Sequence, residues 1–178
     1  MNHTVFIEAV IIIIPVLLAG LTFIFVLKKG WLSSLKKPID RGILWKNKPI
    51  LGKNKTWLGF LAMSIGAAFY ETIIMGFSQL SFSRTAKAAL LGLAYSLGEL
   101  PNSFIKRRYG IAEGKTANAS LAKIFFRILD TVDSVIAVSI AARFLYGISF
   151  ETMIAIILIG SFIHLSTDTL MVFLKLKK

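Results

Sequence analysis

Hydrophobic positions in this chain gather into five long blocks, at residues 5–27, 57–80, 88–105, 128–147 and 152–174, separated by polar and mostly basic connections. A helix rises 1.5 Å per residue, so about 20 apolar residues cross a hydrocarbon core of ~30 Å. Each block reaches about that length. The third is the shortest and the most interrupted, with Gly98, Glu99 and Pro101 near its end. The pattern predicts an all-α, polytopic membrane protein of about five transmembrane helices with two basic cytoplasmic loops. Residues 1–178 then form one integral-membrane domain.

Composition agrees with the pattern. Of the 178 residues 56% are hydrophobic, more than a soluble domain of this size needs. Cysteine is absent, which removes disulfides and thiolate metal sites from consideration. The net charge of +12 would suggest nucleic acid in a soluble protein. Here the charge lies in loops between apolar blocks, which favours anionic lipid headgroups and phosphates and argues against a nucleic-acid partner.

The basic residues also orient the chain. No basic side chain precedes the first block, and Lys28 follows it, the reverse of a cleaved signal peptide. The first connection carries Lys28, Lys29, Lys36, Lys37, Arg41, Lys46, Lys48, Lys53 and Lys55. The third carries Lys106, Arg107, Arg108, Lys115, Lys123 and Arg127, and the C-terminus adds Lys175, Lys177 and Lys178. Only Arg84, Lys87 and Arg143 of the 21 remain for the opposite side. The positive-inside rule therefore predicts an outside N-terminus and a cytoplasmic C-terminus. Trp31, Trp45 and Trp57 fall on the cytoplasmic side, as interfacial anchors do.

With that orientation, Glu99, Asp130, Asp133 and Asp168 all fall in the cytoplasmic third of the membrane. An ionised carboxylate within a bilayer costs about 2.5–3.5 kcal/mol on insertion scales, so each needs a partner. Asp130 and Asp133 stand at i and i+3 on one helix face, where both can ligate a divalent cation. The basic run Lys106-Arg107-Arg108 enters the same layer and supplies charge for phosphates. Glu8 and Glu71 fall in the outer half and are expected to pack or to be solvated at the interface. His164 precedes Asp168 by one turn; a lone intramembrane histidine is more often a packing residue than a ligand.

The first loop runs through Pro38, Asp40 and Gly42 to Gly52-Lys53-Asn54-Lys55-Thr56-Trp57-Leu58-Gly59, where the second block begins. Free N–H groups at a helix N-terminus, with the lysines beside them, suit a phosphate. The segment is not a Walker A loop, because Asn54 stands where that motif has glycine. A basic loop that only sets topology is the plainer alternative.

Together these segments resemble the CDP-archaeol synthase family, itself distantly similar to bacterial phosphatidate cytidylyltransferases. The segments Pro38-x-Asp40-x-Gly42 and Gly52-x-x-Lys55-Thr56-Trp57-x-Gly59 are similar to that family's first loop. Gly98-Glu99 followed by Ser103-Phe104-Ile105-Lys106-Arg107-Arg108 is similar to its second motif, and Asp130-Thr131-Val132-Asp133 to its Asp-x-x-Asp metal motif. Glu99 stands where the family often has Asp. The resemblance implies transfer of the cytidylyl group of CTP to a phosphorylated glycerolipid, giving a CDP-lipid and pyrophosphate in phospholipid biosynthesis. It implies Mg²⁺ on Asp130 and Asp133, with Glu99 as a third ligand. Lys106 and Arg107 join the two aspartates as catalytic residues. Asp40, Gly52, Lys55, Thr56, Gly59, Ser103 and Arg108 bind substrate, and membrane lipids surround the spans.

Two other readings stay open at the level of sequence. A CTP-dependent polyprenol kinase would use the same nucleotide and metal but release CDP. A small transporter would place polar groups along both halves of a pathway, whereas the acidic set here lies on one side. Lipid linkage, chain length, nucleotide selectivity, oligomeric state and the roles of His164 and Asp168 are not readable from the sequence.

Overall fold

A computed structural model describes residues 2–76, 81–115 and 120–173, the side chains at 120, 168 and 170–173 excepted. Five helices account for most of it: α1 (His3–Lys29), α2 (Trp57–Met75), α3 (Phe82–Arg108), α4 (Ser120–Tyr146) and α5 (Phe150–Phe173). The all-α membrane architecture expected from the hydropathy blocks is the one observed. Among the described residues α1, α2 and Phe150–Thr167 of α5 are long and apolar enough to cross a membrane. Helices α3 and α4, 27 residues each, extend to about 40 Å. Helix α3 runs past the apolar block 88–105 at both ends, and α4 begins eight residues before the block 128–147, in a segment interrupted by Lys123 and Arg127. The expected ends of the second and fifth spans, residues 80 and 174, lie outside the described residues, as do the side chain of Asp168 and the C-terminal lysines.

Pro101, expected to interrupt the third block, sits inside an unbroken α3. Membrane helices tolerate proline because packed neighbours compensate for the lost hydrogen bond. Helix α1 packs on α2 and α5, α2 on α3, α3 on α4, and α4 on α5, which closes the five into a ring. The core is made of small and branched side chains, among them Ala9, Val16, Ala67, Leu91, Val138, Ala142 and Ile156. Large apolar side chains such as Phe69, Phe144, Leu158 and Phe162 face outward. In water such a surface would drive aggregation, and in a bilayer it meets acyl chains.

Lipid offers helices no hydrophobic reason to associate, so close backbone approach through small residues carries much of the packing. Gly92 lets α3 touch α2, where a Cβ would stand 2.1 Å from the Met63 carbonyl oxygen. Gly98 does the same for α3 and α4: a Cβ there would be 2.6 Å from Ala137 Cβ and 2.8 Å from the Asp133 carbonyl oxygen. Gly98→Ala is therefore expected to push α3 off α4 and destabilise the protein by about 1–3 kcal/mol, the usual cost of overpacking. A thermal unfolding series in detergent checks this. An unchanged midpoint would mean that the two helices relax freely.

Candidate active site

The long connection between α1 and α2 is folded upon itself. Its ends are zipped by Ile39 N–H donating to the Lys55 carbonyl at 2.9 Å and Trp57 N–H donating to the Lys37 carbonyl at 3.1 Å. Asp40 organises the interior, accepting from the N–H groups of Gly42 (3.0 Å), Leu51 (2.9 Å) and Gly52 (3.2 Å). Burial pushes the Asp40 carboxyl up, but these backbone donors outweigh it and hold the group below its ordinary 3.8. Between them lies a hairpin, β1 (Leu44–Trp45) and β2 (Lys48–Pro49). Its two turn residues, Lys46 and Asn47, have φ of 51° and 58°, the left-handed pair that matches strand twist in a two-residue turn.

Two contacts fasten this loop to α3 and to the segment after it. The Arg108 guanidinium donates to the carbonyls of Trp45, Lys48 and Pro49. It also lies 5.2 Å from the ring centres of both Trp45 and Phe104, which stack on each other. Lys48 Nζ returns a bond to the Arg108 carbonyl at 2.9 Å. Further on, Glu113 accepts from the Lys53 N–H at 3.2 Å. Its own backbone N–H and that of Lys53 hold its carboxyl below the ordinary value. Gly52, at φ +96°, makes this approach possible, since a Cβ there would stand 2.8 Å from Glu113 Cγ.

Because Asp40 titrates lower in the folded loop than in an unfolded one, its contribution to loop order is complete above about pH 4. It is lost as pH falls through the folded value. Limited proteolysis between residues 37 and 56 should therefore speed up on acidification. Asp40→Asn should be cleaved at pH 7 already as fast as the acidified wild type and show a weaker pH response. Equal protection of the variant at neutral pH would refute the role given to Asp40.

The chemistry-bearing side chains line one stripe of α3. Glu99, Asn102, Ser103 and Lys106 follow at helical spacing, and each of three meets a partner across the bundle. The Glu99 carboxylate is paired with Lys55 Nζ, at the residue before the α2 N-cap. Thr56 forms that cap and accepts from the Gly59 N–H at 3.3 Å. Lys106 Nζ reaches both Asp130 carboxylate oxygens. Between them Asn102 Nδ2 donates to Asp130 Oδ1 at 2.7 Å and to Asp133 Oδ2 at 2.9 Å. Asn102 is only 4% exposed, and its Oδ1 is buried without a hydrogen-bond partner. Asp133 accepts in addition from the Ser134 N–H at 2.6 Å. Ser103 is half-buried on the same stripe.

Not every expected residue joins this group. Arg107 lies a third of a turn from Lys106, is buried, and donates to the Ile111 carbonyl in the turn after α3. Arg108 is committed to the hairpin carbonyls. Glu99 does not complete a three-carboxylate cluster: among the described residues no three metal-ligating His, Cys, Asp or Glu side chains converge. The lysine ammonium of Lys55 meets its charge instead. Asp130 and Asp133 remain as a pair, facing one shared donor, and the half-exposed Asp130 opens the pair to solvent. Two carboxylates one helical turn apart are oxygen donors of the kind that suits a hard cation such as Mg²⁺. Glu71 and Glu8 stay apart from this group: Glu71 pairs with Arg84 at 3.3 Å, and Glu8 accepts from Thr152 Oγ1 at 2.7 Å.

Beside the stripe lies a cavity of about 260 Å³. Lys55, Thr56, Gly59 and Glu99 form its polar end, while Ile13, Val16, Met63, Val135 and Ile163 line the apolar remainder. His164 also lines it, with Nδ1 buried and unpartnered. A charged group at one end and hydrocarbon along the rest match the shape of a lipid with an anionic head. Asn102 is the residue sequence reasoning missed. Its position three after Glu99 and four before Lys106 was the available signal, since a polar side chain on that stripe has to face the same partners.

The family model described as CarS-like CDP-archaeol synthase matches residues 4–178. A CDP-archaeol synthase from Aeropyrum pernix is 25% identical over 177 residues, spanning 96% of this chain and 90% of that protein. Another from Pyrobaculum islandicum is 33% identical over 147 residues, spanning 81% of this chain and 82% of that protein. A third, from Thermococcus gammatolerans, is 35% identical over 88 residues, 46% of this chain and 50% of that protein. No solved structure matches the chain at a significant level. The chain belongs to the CDP-archaeol synthase family.

Proposed function

We propose that this membrane enzyme transfers the cytidylyl group of CTP to a phosphorylated glycerolipid, releasing pyrophosphate and leaving a CDP-activated lipid. One observation carries the reading: a single stripe of α3 brings Glu99 to Lys55, and Asn102 and Lys106 to Asp130 and Asp133, and the Lys55–Glu99 pair lines a cavity whose wall is otherwise mostly apolar. A lipid phosphate oxygen attacks the α-phosphorus of CTP. The bond from that phosphorus to the bridging oxygen of the β-phosphate breaks, and the electron pair leaves with pyrophosphate. The attacking oxygen is already anionic, so no strong base is needed. The protein's task is to bring two anions together and to offset the charge that grows on the leaving group.

Lys106 and Lys55 are the mobile cations suited to that task. Each is held by a carboxylate in the resting site and can exchange it for a phosphate. Asp130 and Asp133 would hold Mg²⁺, which would supply positive charge to the triphosphate. Thr56, the N-cap of α2, and Gly59 in its first turn line the cavity at the helix end where the dipole favours a phosphate. Ser103 adds a hydroxyl to the same face. Asp40, Gly52 and Arg108 act through the loop: they fix its fold and its attachment to α3. Arg107 holds the turn that follows.

The basic connections favour a cytoplasmic active site, with the N-terminus outside and the C-terminus inside. A cysteine placed at Ser34, in a chain that has none of its own, is expected to resist an impermeant thiol reagent added outside intact cells. Labelling from outside would reverse the orientation. The activity itself is tested with purified protein, CTP, Mg²⁺ and a panel of ether- and ester-linked lipid phosphates, with products read by mass spectrometry. CDP-lipid and pyrophosphate are expected. Release of CDP with a newly phosphorylated lipid would indicate a kinase instead.

A further inference from the structure

We infer that Asn102 is a third oxygen ligand of the divalent cation held by Asp130 and Asp133, presented by turning its side-chain amide over. The inference rests on the cation site proposed above and adds to it a residue outside the acidic motif. In the structure Asn102 Nδ2 occupies the point where the two carboxylates meet, 2.7 Å from Asp130 Oδ1 and 2.9 Å from Asp133 Oδ2. Its other polar atom, Oδ1, is buried and has no partner. A buried acceptor left unpaired is costly, so a native site that keeps one has a use for it.

The amide group supplies that use. Its oxygen and nitrogen exchange places on a half-turn about χ2, with almost no change in the volume occupied. After the turn the oxygen stands at the point now held by Nδ2. Ligand oxygens on adjacent corners of an Mg²⁺ octahedron, at 2.0–2.1 Å from the ion, are about 3 Å apart. The spacing from that point to the two aspartate oxygens agrees with this. Without a cation the Asn102 N–H groups, together with the Lys106 ammonium on Asp130, quench the repulsion between the carboxylates, and an arriving cation takes the place of that ammonium. With a cation between them an N–H₂ group would be repelled and the carbonyl oxygen attracted. The same side chain thus serves both states, and burial at 4% exposure keeps it from leaving the site. Glu99, engaged by Lys55, is not required as the third ligand.

The test is direct titration with Mn²⁺ alone, without CTP or lipid, on detergent-purified protein by electron paramagnetic resonance. Wild type is expected to bind one ion, and Asp133→Asn to lose that binding. Absence of saturable binding, or wild-type binding by Asp133→Asn, would overturn the cation site and the inference with it. Asn102→Ala then decides the inference by the sign of its effect. A ligand oxygen predicts binding weakened at least tenfold. A side chain that only donates N–H groups competes with the ion for the carboxylates, so its removal would leave affinity unchanged or raise it. Either of those outcomes overturns the proposal while leaving the two-aspartate site intact. Asn102→Asp, which keeps an oxygen at the position, should bind Mn²⁺ at least as tightly as wild type; weakening equal to that of Asn102→Ala would also overturn it. A second measurement needs no alanine variant to fold. Wild type labelled with ¹³Cγ-asparagine and loaded with Mn²⁺ should show an electron–nuclear ¹³C coupling that Asn102→Asp lacks. An identical spectrum from the two proteins would refute ligation.

Discussion

Asp133→Asn is expected to remove cytidylyl transfer almost completely, by three or more orders of magnitude in kcat, while leaving a monodisperse, folded protein. A thousandfold loss corresponds to about 4 kcal/mol of transition-state stabilisation, the scale of losing a metal that offsets leaving-group charge. The fold should survive because the new amide is nearly the same shape. Its single oxygen can keep one of the two bonds that the carboxylate now accepts on separate oxygens, Asn102 Nδ2 on Oδ2 and the Ser134 N–H on Oδ1, a modest cost for a packed bundle. What disappears is the negative charge. Turnover should be measured across a Mg²⁺ titration, with gel filtration as the check on folding. Near-normal kcat with unchanged Mg²⁺ dependence would sink the assignment of Asp130 and Asp133 as the cation pair.

The adjacent basic residues should separate into two kinds. Lys106→Gln is expected to lower kcat/KM at least tenfold, about 1.4 kcal/mol or more, with little change in thermal stability. Its ammonium faces the carboxylate pair and has no structural bond besides the one to Asp130 among the described hydrogen bonds. Arg107→Gln should do the reverse. Its guanidinium is buried against the Ile111 carbonyl, so its loss loosens the turn after α3 and lowers the unfolding midpoint more than it slows the chemistry. Lys36→Gln, on an exposed lysine of the first loop, serves as the neutral control. Equal small losses at all three positions would mean that the charges act only as a diffuse surface field, and the role given to Lys106 would be withdrawn.

The two arginines show why a motif read as a string misleads. Lys106, Arg107 and Arg108 are consecutive, but successive helix residues point 100° apart. One therefore faces α4, one the following turn, and one the β1–β2 hairpin. Composition and spacing carry no information about that rotational phase, because it depends on where α2 and α4 dock. Glu99 illustrates the same limit. Its place near the C-terminal end of α3 followed from counting residues, but whether it met Asp133 or Lys55 depended on how the first loop closed over α3.

By itself the sequence determined the five helices, their membrane setting and the family. These follow from local rules: lipid demands an apolar run of about 20 residues, and a buried carboxylate is too costly to occur without purpose. The tertiary structure decided what those rules leave free. It set the length of α3 and α4 beyond their apolar blocks, where Lys and Arg interrupt the hydropathy signal. It paired Lys55 with Glu99 across 44 residues and brought Asn102 between two aspartates nearly thirty positions away. Such contacts depend on helix rotation and on the close α3–α4 approach that Gly98 permits. Both are properties of the packed bundle, where the steric fit of one helix on another selects which polar faces meet.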